Sequence, residues 1–139
     1  MSLEWEQTVV DAEDPVALGR WWAKALGWVV VNDAAGEFEI RPGPDRVPGL
    51  LFVPVAEPKS VKNRLHPDFR PEDRDAEVTR LVDLGATRVD VGQGEQSWVV
   101  LADPEGNEFC ILQSRRPRTC SGLVGGTTAA SDQHPRRCD

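Results

Sequence analysis

The same order of secondary-structure signals runs through this 139-residue chain twice, and no other feature constrains its fold as much. In the first half, a strand candidate over Trp5–Ala12 leads to Asp14, a side chain suited to an N-cap, and to Pro15 at the first helical position. Leu18, Trp21, Trp22 and Ala25 then recur at the spacing of one helical face, and Gly27 closes the helix. Three β-rich runs follow, Trp28–Val31, Glu37–Ile40 and Gly49–Val55, with the turn-forming Arg41–Asp45 before the last. The second half repeats this. Arg64–Phe69 reads as a strand, and Pro71 opens a helix whose buried stripe is Val78, Leu81 and Val82 and whose end is Gly85. Thr87–Val91, Ser97–Leu101 and Glu108–Leu112 supply three more strands. The local sequences echo as well: KALGWVV answers VDLGATRV, and Gly49-Leu-Leu-Phe-Val53 answers Gly106-Asn-Glu-Phe-Cys110. A repeat of about 58 residues predicts an α+β fold of two tandem βαβββ modules, residues 1–57 and 58–113, in one domain. Aligning Asp14 on Asp73 sets Gln7 opposite His66, and aligning Gly49 on Gly106 sets Val53 opposite Cys110.

Residues 114–139 break the pattern. They carry Arg115, Arg116, Arg118, Arg136 and Arg137 against Asp132 and Asp139, have no apolar periodicity, and read as a disordered tail. The formal charge is −7 overall, so the preceding 113 residues hold 11 basic and 21 acidic side chains. A body that acidic repels phosphate backbones, which argues against nucleic acid as a partner. No apolar run approaches a membrane span, and the acidic Met-Ser-Leu-Glu-Trp-Glu start lacks the pattern of a signal peptide. Three cysteines, of which only Cys110 falls in the patterned region, predict a reduced, cytoplasmic protein rather than a disulfide scaffold.

The most legible stretch is ADPEGNEFCIL, residues 102–112. Asp103-Pro-Glu-Gly-Asn107 is a dense cluster of turn formers running straight into a strand. Alternation along that strand puts Glu108, Cys110 and Leu112 on one face and Phe109 and Ile111 on the other. The first face mixes a carboxylate, a thiol and a leucine, and is the one expected to look at a ligand.

Paired βαβββ modules with DPEGNEF leading into the last strand resemble the glyoxalase/bleomycin-resistance/dioxygenase (vicinal oxygen chelate) superfamily. VAEPKSVKNRLHPDFRPEDRDAEVTRLVDLGA and WVVLADPEGNEFCIL resemble its small actinobacterial glyoxalase-like branch; the resemblance covers residues 5–113. It implies two sheets curving into a half-barrel, a ligand on the concave face, and a homodimer. In metal-dependent members, one position on the first and one on the last strand of each module supply ligands. Carried onto this chain, these fall on Gln7, Val53, His66 and Cys110.

Val53 cannot ligate and Gln7 is a neutral, weak donor, so no resident metal is expected. Were a divalent zinc, iron, manganese or nickel ion held, Gln7, His66 and Cys110 would hold it. His66 is the one histidine outside the tail, suited to orienting a ligand or to general-base work. Arg64 shares its strand face and could meet an anion, while Trp5 and Trp98 could stack on a planar ligand. Glu108 completes the set of expected ligand contacts. The leading function is therefore small-molecule binding in the cavity without a complete metal site. The alternatives are a metal-dependent lyase, isomerase or dioxygenase, which needs Lewis-acid stabilisation of its transition state, and an interaction module. Whether the chain is an enzyme is left open by these residues.

Overall fold

A computed structural model of the chain describes residues 2–90 and 97–115. In it the elements are β1 (Gln7–Ala12), α1 (Pro15–Leu26), β2 (Val29–Ala34), β3 (Glu37–Arg41), β4 (Gly49–Pro54), β5 (Asp68–Phe69), α2 (Arg74–Leu84), β6 (Thr87–Arg88), β7 (Val99–Ala102) and β8 (Glu108–Ile111). They form two mixed four-stranded sheets of the same topology, β1-β4-β3-β2 and β5-β8-β7-β6, not closed into a barrel. In each, the first strand runs parallel to the last and the other pairings are antiparallel. This is the predicted pair of βαβββ modules.

The helices form where their caps say they should. Asp14 accepts from the Ala17 amide at 3.1 Å, and Gly27 ends α1 in the left-handed conformation at φ +68°. Leu18, Gly19, Trp22 and Ala25 are its buried face, so Trp22 rather than Trp21 is the deeper tryptophan. The second helix starts later than Pro71. Its cap is Asp73, which accepts from the Ala76 amide at 3.1 Å, with Asp75 and Glu77 in the first turn complementing the helix dipole. Its stripe is narrower than predicted: Val78 and Leu81 are buried, but Val82 is 38% exposed because α2 presents only one narrow edge to the sheet.

One core serves both modules. Leu18, Trp22, Phe38, Ile40 and Phe52 of the first pack in the same cluster as Val78, Leu81, Leu101, Phe109 and Ile111 of the second. Trp22 lies between them, its ring 4.9 Å from Phe109 and 5.7 Å from Phe69. Burying side chains of this size stabilises the fold by about 2–3 kcal/mol each before entropy is counted.

The Asp103–Asn107 turn fastens the modules together. The Asp103 carboxylate, itself buried, accepts from Trp22 Nε1 at 2.9 Å, from the Glu105 and Asn107 amides, and from the Asn107 side chain. Glu105 reaches back to accept from the amides of Glu13 and Asp14, at the entrance to α1. Trp21 Nε1 donating to the Leu84 carbonyl and Arg80 donating to the Ala25 carbonyl add two more ties.

Every strand differs from its predicted bounds by one to four residues at an end, β2 running Val29–Ala34 rather than Trp28–Val31 and β7 Val99–Ala102 rather than Ser97–Leu101. The first begins at Gln7, not Trp5. The predicted Arg64–Phe69 strand shrinks to Asp68–Phe69, since Pro67 has no amide to give a ladder; its carbonyl instead accepts from the Cys110 amide at 3.0 Å. The predicted Thr87–Val91 strand is Thr87–Arg88, and Val91 lies outside the described residues, as does the tail from residue 116.

Candidate functional site

The face of the second sheet turned away from the helices carries a pocket of about 340 Å³, lined by Lys62, His66, Asp68, Trp98, Val100, Glu108, Cys110 and Leu112. Its floor is β8, whose alternation sends Phe109 and Ile111 into the core and Glu108, Cys110 and Leu112 into the pocket. Trp98, just before β7, and Val100 form the apolar wall, and the segment entering β5 supplies Lys62, His66 and Asp68.

Within it, His66, Asp68 and Cys110 converge, their potential ligand atoms all within 4.8 Å of one another. Asp68 and Cys110 are direct partners in the parallel β5–β8 ladder. His66, two residues earlier, points Nε2 to within 3.3 Å of Asp68 Oδ1. Burial pushes the Cys110 thiol up to about 11, and the Asp68 carboxylate beside it adds to that, so the sulfur is protonated at neutral pH. An unaided thiolate nucleophile is therefore not on offer here.

Glu108 does a different job from its neighbours. Its carboxylate is 8% exposed and takes the Lys59 ammonium at 2.8 Å and the Asn63 amide at 3.2 Å. Asn63 also donates to the Asn107 side chain. These bonds fasten the inter-module segment over one end of the pocket. Burial pushes the Glu108 carboxyl up, but Lys59 and the backbone donors outweigh it and leave its pKa below the ordinary value.

The other sequence candidates lie elsewhere. Trp5 is 68% exposed and Arg64 is exposed, and neither lines the pocket; Lys62 is the basic residue that does. Nothing in the sequence distinguished Lys62 from Arg64 once Pro67 had ended the strand alternation on which the choice rested. Gln7 is half-buried at the start of β1, opposite Gly49, whereas Val53 stands opposite Asp11 near the far end of β4. Four residues of strand separate those two registers, roughly 13 Å.

The ladder also changes the internal alignment. Asp11 faces Val53 as Asp68 faces Cys110, so the counterparts of His66, Asp68 and Cys110 are Val9, Asp11 and Val53. The helix caps align two residues out of step with the strands because only Glu13 separates β1 from its cap, whereas Arg70, Pro71 and Glu72 separate β5 from its own. Gln7 is thus not the repeat partner of His66. The family's four ligand positions do not fit a metal in this chain, since Val53 has no donor and Gln7 is not among the residues lining the pocket of His66 and Cys110.

A second crevice, of about 390 Å³, opens between α1 and α2 over Trp22, Phe69 and Leu81. Glu72 apart, its charged rim is already engaged: Arg80 with Glu77 and the Ala25 carbonyl, Arg70 with the Gln113 carbonyl, and Asp73 in its cap. It gathers no comparable set of chemical groups.

Comparison with known proteins places these features. The family model described as Glyoxalase-like domain matches residues 7–112. A search of curated proteins found no match. Among solved structures, a glyoxalase/bleomycin resistance protein/dioxygenase family enzyme from Burkholderia phytofirmans aligns with a TM-score of 0.63 at 16% identity, over 80% of this chain and 98% of its own. A glyoxalase-related enzyme from Fulvimarina pelagi aligns at 0.60 and 16% identity, over 90% and 99%. The trypanothione-dependent glyoxalase I of Leishmania major aligns at 0.61 and 15% identity, over 82% and 88%. At such identities the solved structures speak for the fold alone. The match over residues 7–112, on two βαβββ modules, shows that the chain belongs to the glyoxalase-like domain family of the vicinal oxygen chelate superfamily.

Proposed function

We propose that the chain binds a small, planar, weakly acidic molecule on the open face of its second sheet. The observation that carries this reading is the composition of the pocket: Trp98, Val100 and Leu112 give it an apolar wall, and Lys62 and His66 stand beside that wall with the polarity an acidic group needs. Stacking on Trp98 would supply most of the affinity, and Lys62 and His66 would set orientation. Glu108, spent on Lys59 and Asn63, holds the pocket's shape rather than the ligand. A reduced cytoplasmic setting suits the buried free thiol of Cys110. Among the described residues no helix is long and apolar enough to cross a membrane. A homodimer also belongs to this reading, supported by the exposed Val9, Val29, Val30 and Val31 on the first sheet.

Benzoate serves as a first probe. Titrated into the full chain, it should quench the tryptophan fluorescence saturably. Trp98→Phe should remove the quench, and Lys62→Ala should weaken binding about tenfold, the loss of one charge-assisted hydrogen bond. Quenching that survives in Trp98→Phe would place binding elsewhere and end this reading. A second reading, a metal-assisted lyase, isomerase or dioxygenase, is favoured by the convergence of His66, Asp68 and Cys110 and requires that metal be bound there.

A further inference from the structure

We propose that the crevice between α1 and α2 is the seat of this chain's own C-terminal segment, with Leu123 and Val124 on its apolar floor and the arginines that precede them at its mouth. It lies on the helix side of the fold, away from the pocket proposed above to bind a small molecule, and does not depend on that reading.

The crevice and the exit of the chain share one corner of the structure. β8 runs parallel to β5, and the pairing continues beyond both strands: the Leu112 amide donates to the Phe69 carbonyl at 2.8 Å, and Arg70 donates to the Gln113 carbonyl at 2.8 Å. Phe69, Arg70 and Pro71 line the crevice, so the chain leaves the sheet beside it. Arg115, the last described residue, is two positions past the carbonyl that Arg70 holds. From Ser114 to Leu123 an extended chain spans up to about 30 Å. The crevice follows α2 from Asp73 to Leu81, about 12 Å at the helical rise, so Leu123 reaches all of it.

Its floor consists of Trp22, Phe69, Leu81 and Phe109, core side chains that meet where the two modules join. Close packing fills such a joint elsewhere in the core, but here about 390 Å³ stays open to the surface. Ala76 on α2 is exposed and Leu26 on α1 is half-buried, which gives the opening apolar edges on both sides. Glu72, exposed at the mouth, makes no hydrogen bond or ion pair with another described residue.

The sequence after Arg115 matches these features in order. Arg116 and Arg118 come first, and their charge suits Glu72 and a strongly acidic body. Leu123 and Val124 follow, the one pair of adjacent large apolar side chains in residues 116–139. Gly122 on one side and Gly125 and Gly126 on the other permit the close backbone approach that a narrow seat demands. Alone, this segment has too little apolar surface to fold; the crevice supplies the other half. Attachment through Gln113 gives it an effective concentration in the millimolar range, so contacts too weak to join separate molecules suffice.

The test is nuclear magnetic resonance on the isotope-labelled full chain, kept reduced. Backbone order parameters at Leu123 and Val124 should approach the value of about 0.85 found in rigid structure. Their methyl groups should give nuclear Overhauser effects to the Phe69 ring and the Ala76 methyl. Leu123→Asp combined with Val124→Asp, and separately Ala76→Arg, which fills the crevice from the exposed side of α2, should each lower those order parameters below about 0.6 and erase the contacts. Unchanged far-ultraviolet circular dichroism establishes that these variants are folded. Order parameters below about 0.6 in the parent overturn the inference, as does ordering that survives Ala76→Arg or contacts from Leu123 to a different surface. A mixture of labelled and unlabelled chains identifies the source of the segment. Contacts found only between chains would assign the crevice to the segment of a second copy and overturn its seating within one chain.

Discussion

Glu108 and Cys110 sit two residues apart on one strand face, both buried, yet their carboxyl and thiol hold opposite protonation states. The Cys110 thiol stays protonated, pushed up to about 11 by burial and by Asp68, and gives up its proton only to a base or a metal. Glu108 is ionised and paired, its pKa held below the ordinary value of 4.5 despite burial because Lys59 and Asn63 donate to it. A carboxyl depressed in the folded state stabilises the fold fully above its unfolded pKa, and that contribution fades as pH falls through the folded value. Glu108→Gln should therefore cost about 1–3 kcal/mol near neutrality, by leaving the half-buried Lys59 ammonium without its counter-charge. The gap between parent and variant should hold at pH 6 and narrow progressively as pH falls below about 4.5. Urea melts of both proteins at pH 6, 5, 4 and 3 check this; a gap independent of pH would show that the Lys59 pairing contributes nothing. The alternation of β8 could be read from the sequence, but the employment of Glu108 could not, because its partners lie 45 and 49 residues away on an irregular segment.

At the scale of elements, α1 contains a glycine in its middle that helix propensity alone would reject. Gly19 lies against the Phe38 ring so closely that a Cβ would stand 2.1 Å from Phe38 Cδ1. Phe38 is wholly buried on β3, so neither helix nor strand can back away without opening the core. Gly19→Ala should gain about 1 kcal/mol of propensity and lose more to overpacking, for a net destabilisation of about 2 kcal/mol or more. A lower urea midpoint at unchanged slope is the expected readout, and an unchanged or higher midpoint would mean that the helix shifts freely over β3. Caps and periodicity made both helices and most strands legible in advance: Asp14, Gly27 and Gly85 act locally, as does the alternation of Phe38 with Ile40. What stayed hidden was register. Reading the repeat from the helix caps gave Gln7 as the partner of His66, because three residues rather than one separate the second first-strand from its cap. A two-residue offset keeps every side chain on its proper face, so face patterning could not reveal it. For the same reason Asp68 went unnoticed until the ladder set it opposite Cys110.

Across the whole molecule the two modules share a core but present unequal open faces. Trp22 and the Asp103–Asn107 turn bind them on the helix side, where Phe69 and Phe109 complete the packing begun by Leu18 and Phe52. On the other side, the second sheet gathers its polar groups into a pocket, whereas the first leaves Val9 in water on its edge strand β1, and its opposite edge strand β2 exposes Val29, Val30 and Val31. Strand edges carrying apolar side chains are stable in a lone chain only at the risk of pairing, and this sheet has such edges on both sides. The pocket, for its part, is lined from the second module alone, so a second copy could approach it without displacing any residue of the first. A symmetric dimer that covers the first sheet satisfies both conditions. Sedimentation at about ten micromolar should then give twice the chain mass. Val9→Lys, placed where the side chain is already 53% exposed, should halve that mass while leaving the far-ultraviolet circular dichroism intact, because Val9 is outside the shared core. A parent chain that sediments as a monomer at that concentration removes the dimer. A Val9→Lys variant that remains dimeric moves the contact away from β1 and leaves the β2 valines as the surface to substitute next.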